Sequence, residues 1–325
     1  MANTLLMALI VVLGVPAVMV GYVGLVEWLL GFLPERHRPG VRPWLWIGPA
    51  VLFLVVFLVY PALNTAGISL FNADSTRFVG LANYAYVFTA QDMLIAFKNN
   101  ILWLVLFTLL TVTFGLIIAV LFDRVRYEAA AKALIFLPMA ISFVAAGVIW
   151  KLMYDFKPAG LPQTGTVNAL LTTAIPSFQP QAWLFNPSTN NPGLIAVGVW
   201  MWTGFCMVIL SAGLKGIPTE ILEAARVDGA NEWQVFWRII LPMLSSTITV
   251  VATTMIINSL KAFDIIYVMT NGNYGTEVIA NRMYKEMFNF HQFGRASAIA
   301  VILLLAIIPI MLKNIQDFRR QEALR

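Results

Sequence analysis

Hydrophobic positions fall into seven long, nearly unbroken runs separated by short polar segments. The runs cover roughly 2–33, 44–71, 101–122, 133–153, 193–214, 239–260 and 296–312. About 20 apolar residues carry an α-helix across a bilayer, and each run approaches or exceeds that length. None alternates apolar and polar residues over ~10-residue segments, as the strands of a membrane barrel do. The pattern predicts an all-α, polytopic transmembrane protein of about seven spans. The first run has no Lys or Arg before it and no small-residue cleavage site followed by a polar region, so it reads as a retained helix. Glu27, near its end, is placed to reach the headgroup region.

Composition sharpens this picture. The chain has 325 residues, 60% of them hydrophobic and only 11% charged. A soluble domain carries about 25% charged residues, so a soluble enzyme, a disordered chain and a coiled coil are all excluded. The net charge of +5 would suggest nucleic acid in a soluble protein, but its distribution gives another meaning. Segments 35–43, 123–132, 215–238 and 313–325 hold 13 Lys and Arg in 56 residues. Segments 72–100, 154–192 and 261–295 hold 7 in 103. The positive-inside rule places the first set in the cytoplasm, the N-terminus outside and the C-terminus inside. No nucleic-acid partner is implied.

Candidate chemistry is sparse. Cys206 is the single cysteine, and His37 and His291, both expected to be solvated, have no ligand partners at metal spacing. No metal site, no cluster of catalytic acids and no phosphate-binding glycine loop occurs, so any ATP chemistry must reside on a partner. Tyr60-Pro61, Pro138 and Gly204 punctuate different runs without a matching partner, so the inverted halves of a secondary transporter are not supported. The longest outside segment, 154–192, carries six prolines and is expected to be an irregular cap with a short helix around Val167–Ala174.

The segment between the fifth and sixth runs, 215–242, is the most informative. Pro218 followed by Thr219 and Glu220 reads as a helix start. Ile221, Leu222, Ala224 and Ala225 give that helix a compact, partly apolar surface, and Asp228-Gly229 is a turn signal. A second amphipathic helix follows, with Trp233, Phe236, Trp237 and Ile240 at three- and four-residue spacing. A short helix and a sharp turn at the membrane surface suit docking in another protein's groove.

Glu223-Ala224-Ala225, Asp228-Gly229-Ala230, Ile239 and Leu241-Pro242 resemble, with their spacing, the "EAA" signature of ABC importer membrane subunits. The chain is most similar to the maltose-type sugar importer family, α-glucoside permeases in particular. The likeness covers most of the chain from about Trp44. Phe78-Val-Gly-Leu-Ala-Asn-Tyr84, Thr270-Asn-Gly272 and Phe293-Gly-Arg-Ala-Ser297 resemble outside segments of that family. The resemblance implies a six-helix importer domain at 44–325, with 1–43 as an added helix and basic loop. It implies a coupling helix seated in an ATP-binding subunit, with Glu223 as the charged contact, Ala224 and Ala225 allowing close approach, and Asp228-Gly229 forming the turn. Implied partners are a second permease subunit, two ATP-binding subunits and an extracytoplasmic substrate-binding protein, in a bacterial inner membrane. ATP and magnesium would belong to the ATP-binding subunits, with no cofactor on this chain.

A sugar site needs aromatic faces and amide or hydroxyl groups near the membrane midplane. Trp200, Trp202, Thr203, Gly204 and Phe205 lie ~14–21 Å from the loop end of the fifth span at 1.5 Å per residue. Asn258 and Ser259 are polar residues in the otherwise apolar sixth run, and Asn258 reads equally as an interhelix hydrogen bond. Register against the maltose-type family implies cargo contacts near Trp202, Phe205, Met255, Asn258, Ser259 and Ala262. Several of these residue types depart from the maltose pattern, so the location carries over better than the ligand. Asn64, one turn beyond Tyr60-Pro61, is a further pore-lining candidate. Lys261 and Asp264, three residues apart, are expected to pair with each other, and Glu128 to be a surface charge. The cargo expected is an α-glucoside or disaccharide, with a polyol, a glycerol phosphate ester or a glucosylated compatible solute as alternatives.

Overall fold

The computed structural model describes residues 2–123 and 125–323. Arg124 and Arg325, counted above among the loop cations, lie outside the described residues. The described chain is helical, and its β-type pairing is a single isolated bridge between Phe71 and Phe78. Among the described residues, five helices are long and apolar enough to cross a membrane: Val11–Gly31, Arg38–Ile68, Gln91–Leu121, Asn190–Lys215 and Phe293–Gln316. Two bent pairs, Glu128–Ala140 with Phe143–Met153 and Glu232–Met243 with Ser245–Leu260, bring the total to seven spans if each pair is one.

Those bends depart from the uninterrupted helices that the apolar runs suggest. The first pair turns by 97° and the second by 67°. Pro138 cannot donate a backbone hydrogen bond and crowds the preceding turn, so the helix tightens over Leu137–Ala140 and stops. Ile141 and Ser142 are extended, and the Ser142 hydroxyl then caps the new helix by accepting from the Ala145 amide at 3.1 Å. In the second pair a wide π-helical turn, Phe236–Ile240, precedes Pro242, and the axis breaks at Leu244.

Residues Met1–Thr65 and Ala66–Arg325 form two compact units. In the first, Arg42 pairs with Glu27 at 2.6 Å, and the Tyr22 hydroxyl donates to the Leu45 carbonyl.

The second unit is organised around the helix Asn190–Lys215, fifteen of whose residues are buried. Lipid tails are as apolar as leucine, so membrane helices associate through close packing and hydrogen bonds, and small residues permit the closest approach. A methyl group at Gly115 would lie 2.6 Å from Cys206 Cβ and 3.0 Å from the Met207 amide nitrogen. One at Gly204 would lie 2.5 Å from the Ile135 carbonyl oxygen and 2.7 Å from Phe136 Cα. Gly204 therefore does not break its helix but seats another backbone against it.

At the Asn190 end, buried amides tie the connecting segments down. Asn190 donates to the Tyr274 carbonyl at 2.7 Å, and Asn191 donates to Asn99 Oδ1 at 3.2 Å. Asn99 in turn donates to the carbonyls of Gly275 and Glu277, each at 2.8 Å. Beside them Lys285 pairs with Glu277 at 2.7 Å, and Arg282 pairs with the buried Glu286 at 2.6 Å. Asn83 donates to the carbonyls of Ser69 and Phe71, and Gly294 lies so near Phe71 that a methyl group would sit 2.0 Å from that carbonyl. The segments 78–84 and 293–297, far apart in sequence, thus dock on one strand-like turn. Over 154–192 the chain is irregular except for the helix Thr166–Ala174 and the start of the helix at Asn190.

Gly204→Ala is expected to destabilise the protein by roughly 1–3 kcal/mol, because a rigid backbone rather than a pliant side chain meets the new methyl. Gly193→Ala, on the same helix, meets only the Tyr154 ring at 3.7 Å and is expected to change stability by less than about 1 kcal/mol. Thermal unfolding in detergent compares the two; equal effects would contradict the packing.

Candidate functional site

The helix Asn190–Lys215 connects two features that could act. At its C-terminal end is the loop 215–242. Pro218 precedes the helix Thr219–Val227, where Glu220 in the first turn and Arg226 in the last complement the helix dipole. The helix ends in a Schellman motif: the Ala230 amide donates to the Ala225 carbonyl at 3.0 Å and Gly229 donates to Arg226 at 3.1 Å. Gly229 has φ +85°, a backbone conformation that a Cβ disfavours. Asn231 and Gln234 then form a reciprocal capping box that starts the second helix, a signal legible as Asn-x-x-Gln but missed in the sequence.

Leu222 is buried with Ile217, Val235 and Leu244, and Ala225, Ala230, Ile239 and Ile240 pack around them. This cluster fixes the loop to the body of the unit. Glu223, Ala224, Asp228 and Gly229 remain exposed on the other side, whereas Ala225 is half-buried. The Glu223 carboxylate makes no hydrogen bond or salt bridge among the described residues. An anchored helix with an unpaired acid and a small residue facing outward can be received by a partner without first breaking its own contacts.

Glu128 is not an isolated surface charge. It pairs with Lys132 at 2.6 Å and with Lys215, the last residue of the central helix, also at 2.6 Å. Lys132 also contacts the Ser211 hydroxyl.

Further along the central helix lies a cavity of about 200 Å³. Trp103, Phe107, Phe143 and Trp202 give it aromatic walls, and Asn258, Lys261, Ala262 and Asp264 supply polar groups and its floor. Trp202 stacks on Phe143 with centroids 6.1 Å apart and planes 24° apart, and meets Phe205 edge-on at 5.6 Å. The Asn258 amide donates to the Thr254 carbonyl at 2.9 Å within its own helix, so it forms no interhelix bond, and its oxygen accepts nothing among the described residues.

Of the residues singled out by sequence, Trp202, Asn258 and Ala262 line this cavity, and Phe205 backs Trp202. Met255 and Ser259 are buried in packing, with the Ser259 hydroxyl donating to the Ile256 carbonyl. Trp103, Phe107 and Phe143 were not singled out, since aromatics in apolar runs give no signal of which face they occupy. Lys261 and Asp264 form no ion pair with each other, contrary to expectation. A helix ends at Leu260 and another begins at Asp264, so each charge sits beside a helix terminus of opposite partial charge and both remain on the cavity. A larger groove of about 580 Å³ between the central helix and Gln91–Leu121 has a mostly apolar lining: its polar groups are the Trp200 indole N–H and the Thr203 hydroxyl, which is already bonded to the Val199 carbonyl.

Known proteins resemble this chain in sequence and in fold. Residues 111–321 match the family described as binding-protein-dependent transport system inner membrane component. An osmoprotective compounds uptake permease protein of Synechocystis sp. is 58% identical over 281 residues, covering 86% of this chain and 100% of that protein. An alpha-glucoside transport system permease protein of Rhizobium meliloti is 46% identical over 288 residues, covering 88% and 85%. The crystal structure of a bacterial ABC transporter that imports the acidic polysaccharide alginate has the same fold, with a TM-score of 0.74 at 23% identity over 88% of this chain and 99% of that one. The chain therefore belongs to the family of binding-protein-dependent transport system inner membrane components, as a multi-pass permease subunit of an ABC importer.

Proposed function

We propose that this subunit forms half of the translocation pathway for a glucoside and couples it to ATP hydrolysis through the loop 215–242. The observation that carries the reading is the loop itself: Leu222 and Ala225 anchor it while Glu223, Ala224, Asp228 and Gly229 face outward. The ATP-binding subunit receives that face in the cytoplasm. Closure of two such subunits on ATP moves the loop and tips the core between inward- and outward-facing states, a coupling between two sites through a rigid connection. The density of Lys and Arg in the segments beside the loop supports an N-terminus outside and a C-terminus inside. A second permease subunit, two ATP-binding subunits and an extracytoplasmic binding protein complete the importer. The helix of 1–43 is an addition to a core at 44–325.

The cargo crosses beside Trp202, Phe205 and Asn258, with Met255 and Ser259 setting the helix packing behind them. Ligand pockets usually enclose about 300–1,000 Å³, and the smaller cavity here suits half of a site shared with the second permease subunit. Aromatic walls suit the apolar faces of a sugar ring, and Asn258 suits its hydroxyls. The alpha-glucoside permease relative supports a disaccharide-like α-glucoside. The osmoprotectant permease relative supports a second reading, a glucosylated compatible solute. Both cargoes present a glucosyl ring.

Glu223→Lys and Gly229→Asp are each expected to leave the protein in the membrane while uptake and ligand-stimulated ATPase activity of the assembled importer fall at least about tenfold. Full transport by both variants would contradict the coupling role. Trp202→Ala is expected to raise the KM for uptake by about three- to tenfold, the worth of one aromatic contact, with the binding protein's ligand affinity unchanged. Competition between an α-linked diglucoside and a glucosylated polyol in the uptake assay separates the two cargo readings. Preference for a peptide or a cationic solute would overturn both.

A further inference from the structure

We infer that Glu128 is a positioning residue that pins a second lever to the coupling loop, so that the aromatic wall of the cavity moves with the loop. This rests on the coupling role proposed for 215–242. The lever is the segment 128–143. Its first residue pairs with Lys215, four residues before the helix Thr219–Val227 begins. One turn on, Lys132 holds both Glu128 and the Ser211 hydroxyl. At the end of that helix, the backbone of Ile135 and Phe136 lies directly on Gly204. The chain then turns through 97°, and Phe143 stacks on Trp202.

The segment thus touches the central helix at positions 215, 211, 204 and 202 in order. Those fourteen residues of helix span about 20 Å, from the loop to the cavity. Three of the four contacts lie within the body of the unit, in close packing or between partly buried groups. The Glu128–Lys215 pair is the attachment nearest the loop, and Lys215 is more than half exposed, with a relative side-chain area of 58%. Exposed pairs add little to stability, so its role lies in registering two elements rather than in holding the fold together. When the loop moves, the central helix carries Trp202, and the pinned segment carries Phe143. Without the pin, motion of the loop reaches Phe143 only through the contacts at 211, 204 and 202, and the site follows ATP hydrolysis less closely. The residue acts through its contacts and need not touch cargo.

The test uses the complete importer with its binding protein in proteoliposomes, measuring cargo transported per ATP hydrolysed. Glu128→Gln keeps the shape and removes the charge. It is expected to lower the transport-to-ATP ratio by about fivefold or more while basal ATPase activity and the thermal unfolding temperature stay near those of the unaltered protein. Lys215→Met, which leaves the Glu128–Lys132 pair in place, is expected to do the same and serves if Glu128→Gln does not assemble. The double variant is expected to be no worse than Glu128→Gln alone, since the Glu128–Lys215 pair is already lost there. An unchanged ratio would overturn the inference, as would additive losses in the double variant or a fall in thermal stability alone. The unaltered importer distinguishes the underlying reading: if its ATPase activity does not respond to loaded binding protein, the coupling role itself fails.

Discussion

The helix Asn190–Lys215 can lie so close to its neighbours only because glycine stands where the backbones meet. Gly204 receives the chain at Ile135 and Phe136, and Gly115 on the neighbouring helix receives Cys206 and Met207. In water a hydrophobic core would gather these helices without such intimacy. In a bilayer apolar burial does not distinguish helix from lipid, and contact at van der Waals distance does that work instead. Gly198 extends the pattern, with a would-be methyl 3.1 Å from the Trp103 ring. The cavity opens beside this crossing, lined by Gly198, Trp103 and Phe107.

One rigid rod therefore has three jobs along its length. Its first turn is fixed by the amides of Asn190 and Asn191 to the segments around Tyr274 and Asn99. Its middle presents Trp202 to the cavity. Its last residue, Lys215, meets Glu128 and leads into the loop. The bends at Pro138 and Leu244 matter for the same reason. Each lets a span leave the central helix and return at another angle, bringing Phe143 over Trp202 in one case and aiming Asn258 and Lys261 at the cavity in the other.

Much of this was legible in the sequence, and the parts that were not share a cause. The seven apolar runs, the short helix in 154–192 and the helix-turn-helix of 215–242 follow from periodicity, proline and glycine, which act locally. The 97° bend was signalled by Pro138, but its angle depends on Ser142 capping a new helix, which composition does not weigh. Glu128 looked like a surface charge because its second partner, Lys215, lies 87 positions away. Lys261 and Asp264 looked like a pair because they stand three positions apart, a spacing that brings side chains together only inside one helix; here one helix ends at Leu260 and the next begins at Asp264. Gly204 looked like a break because a close approach and a break carry the same letter.

In the proposed coupling, the anchored loop 215–242 turns a small helix outward to an ATP-binding subunit. Cysteine cross-linking tests it most directly, with Ala224→Cys in the assembled importer and a short bifunctional reagent, the native Cys206 being buried. A cross-link is expected from position 224 to the ATP-binding subunit and none from Asn273→Cys, beside the Tyr274 carbonyl that Asn190 holds at the other end of the central helix. Failure of position 224 to cross-link, or equal cross-linking from both positions, would contradict it.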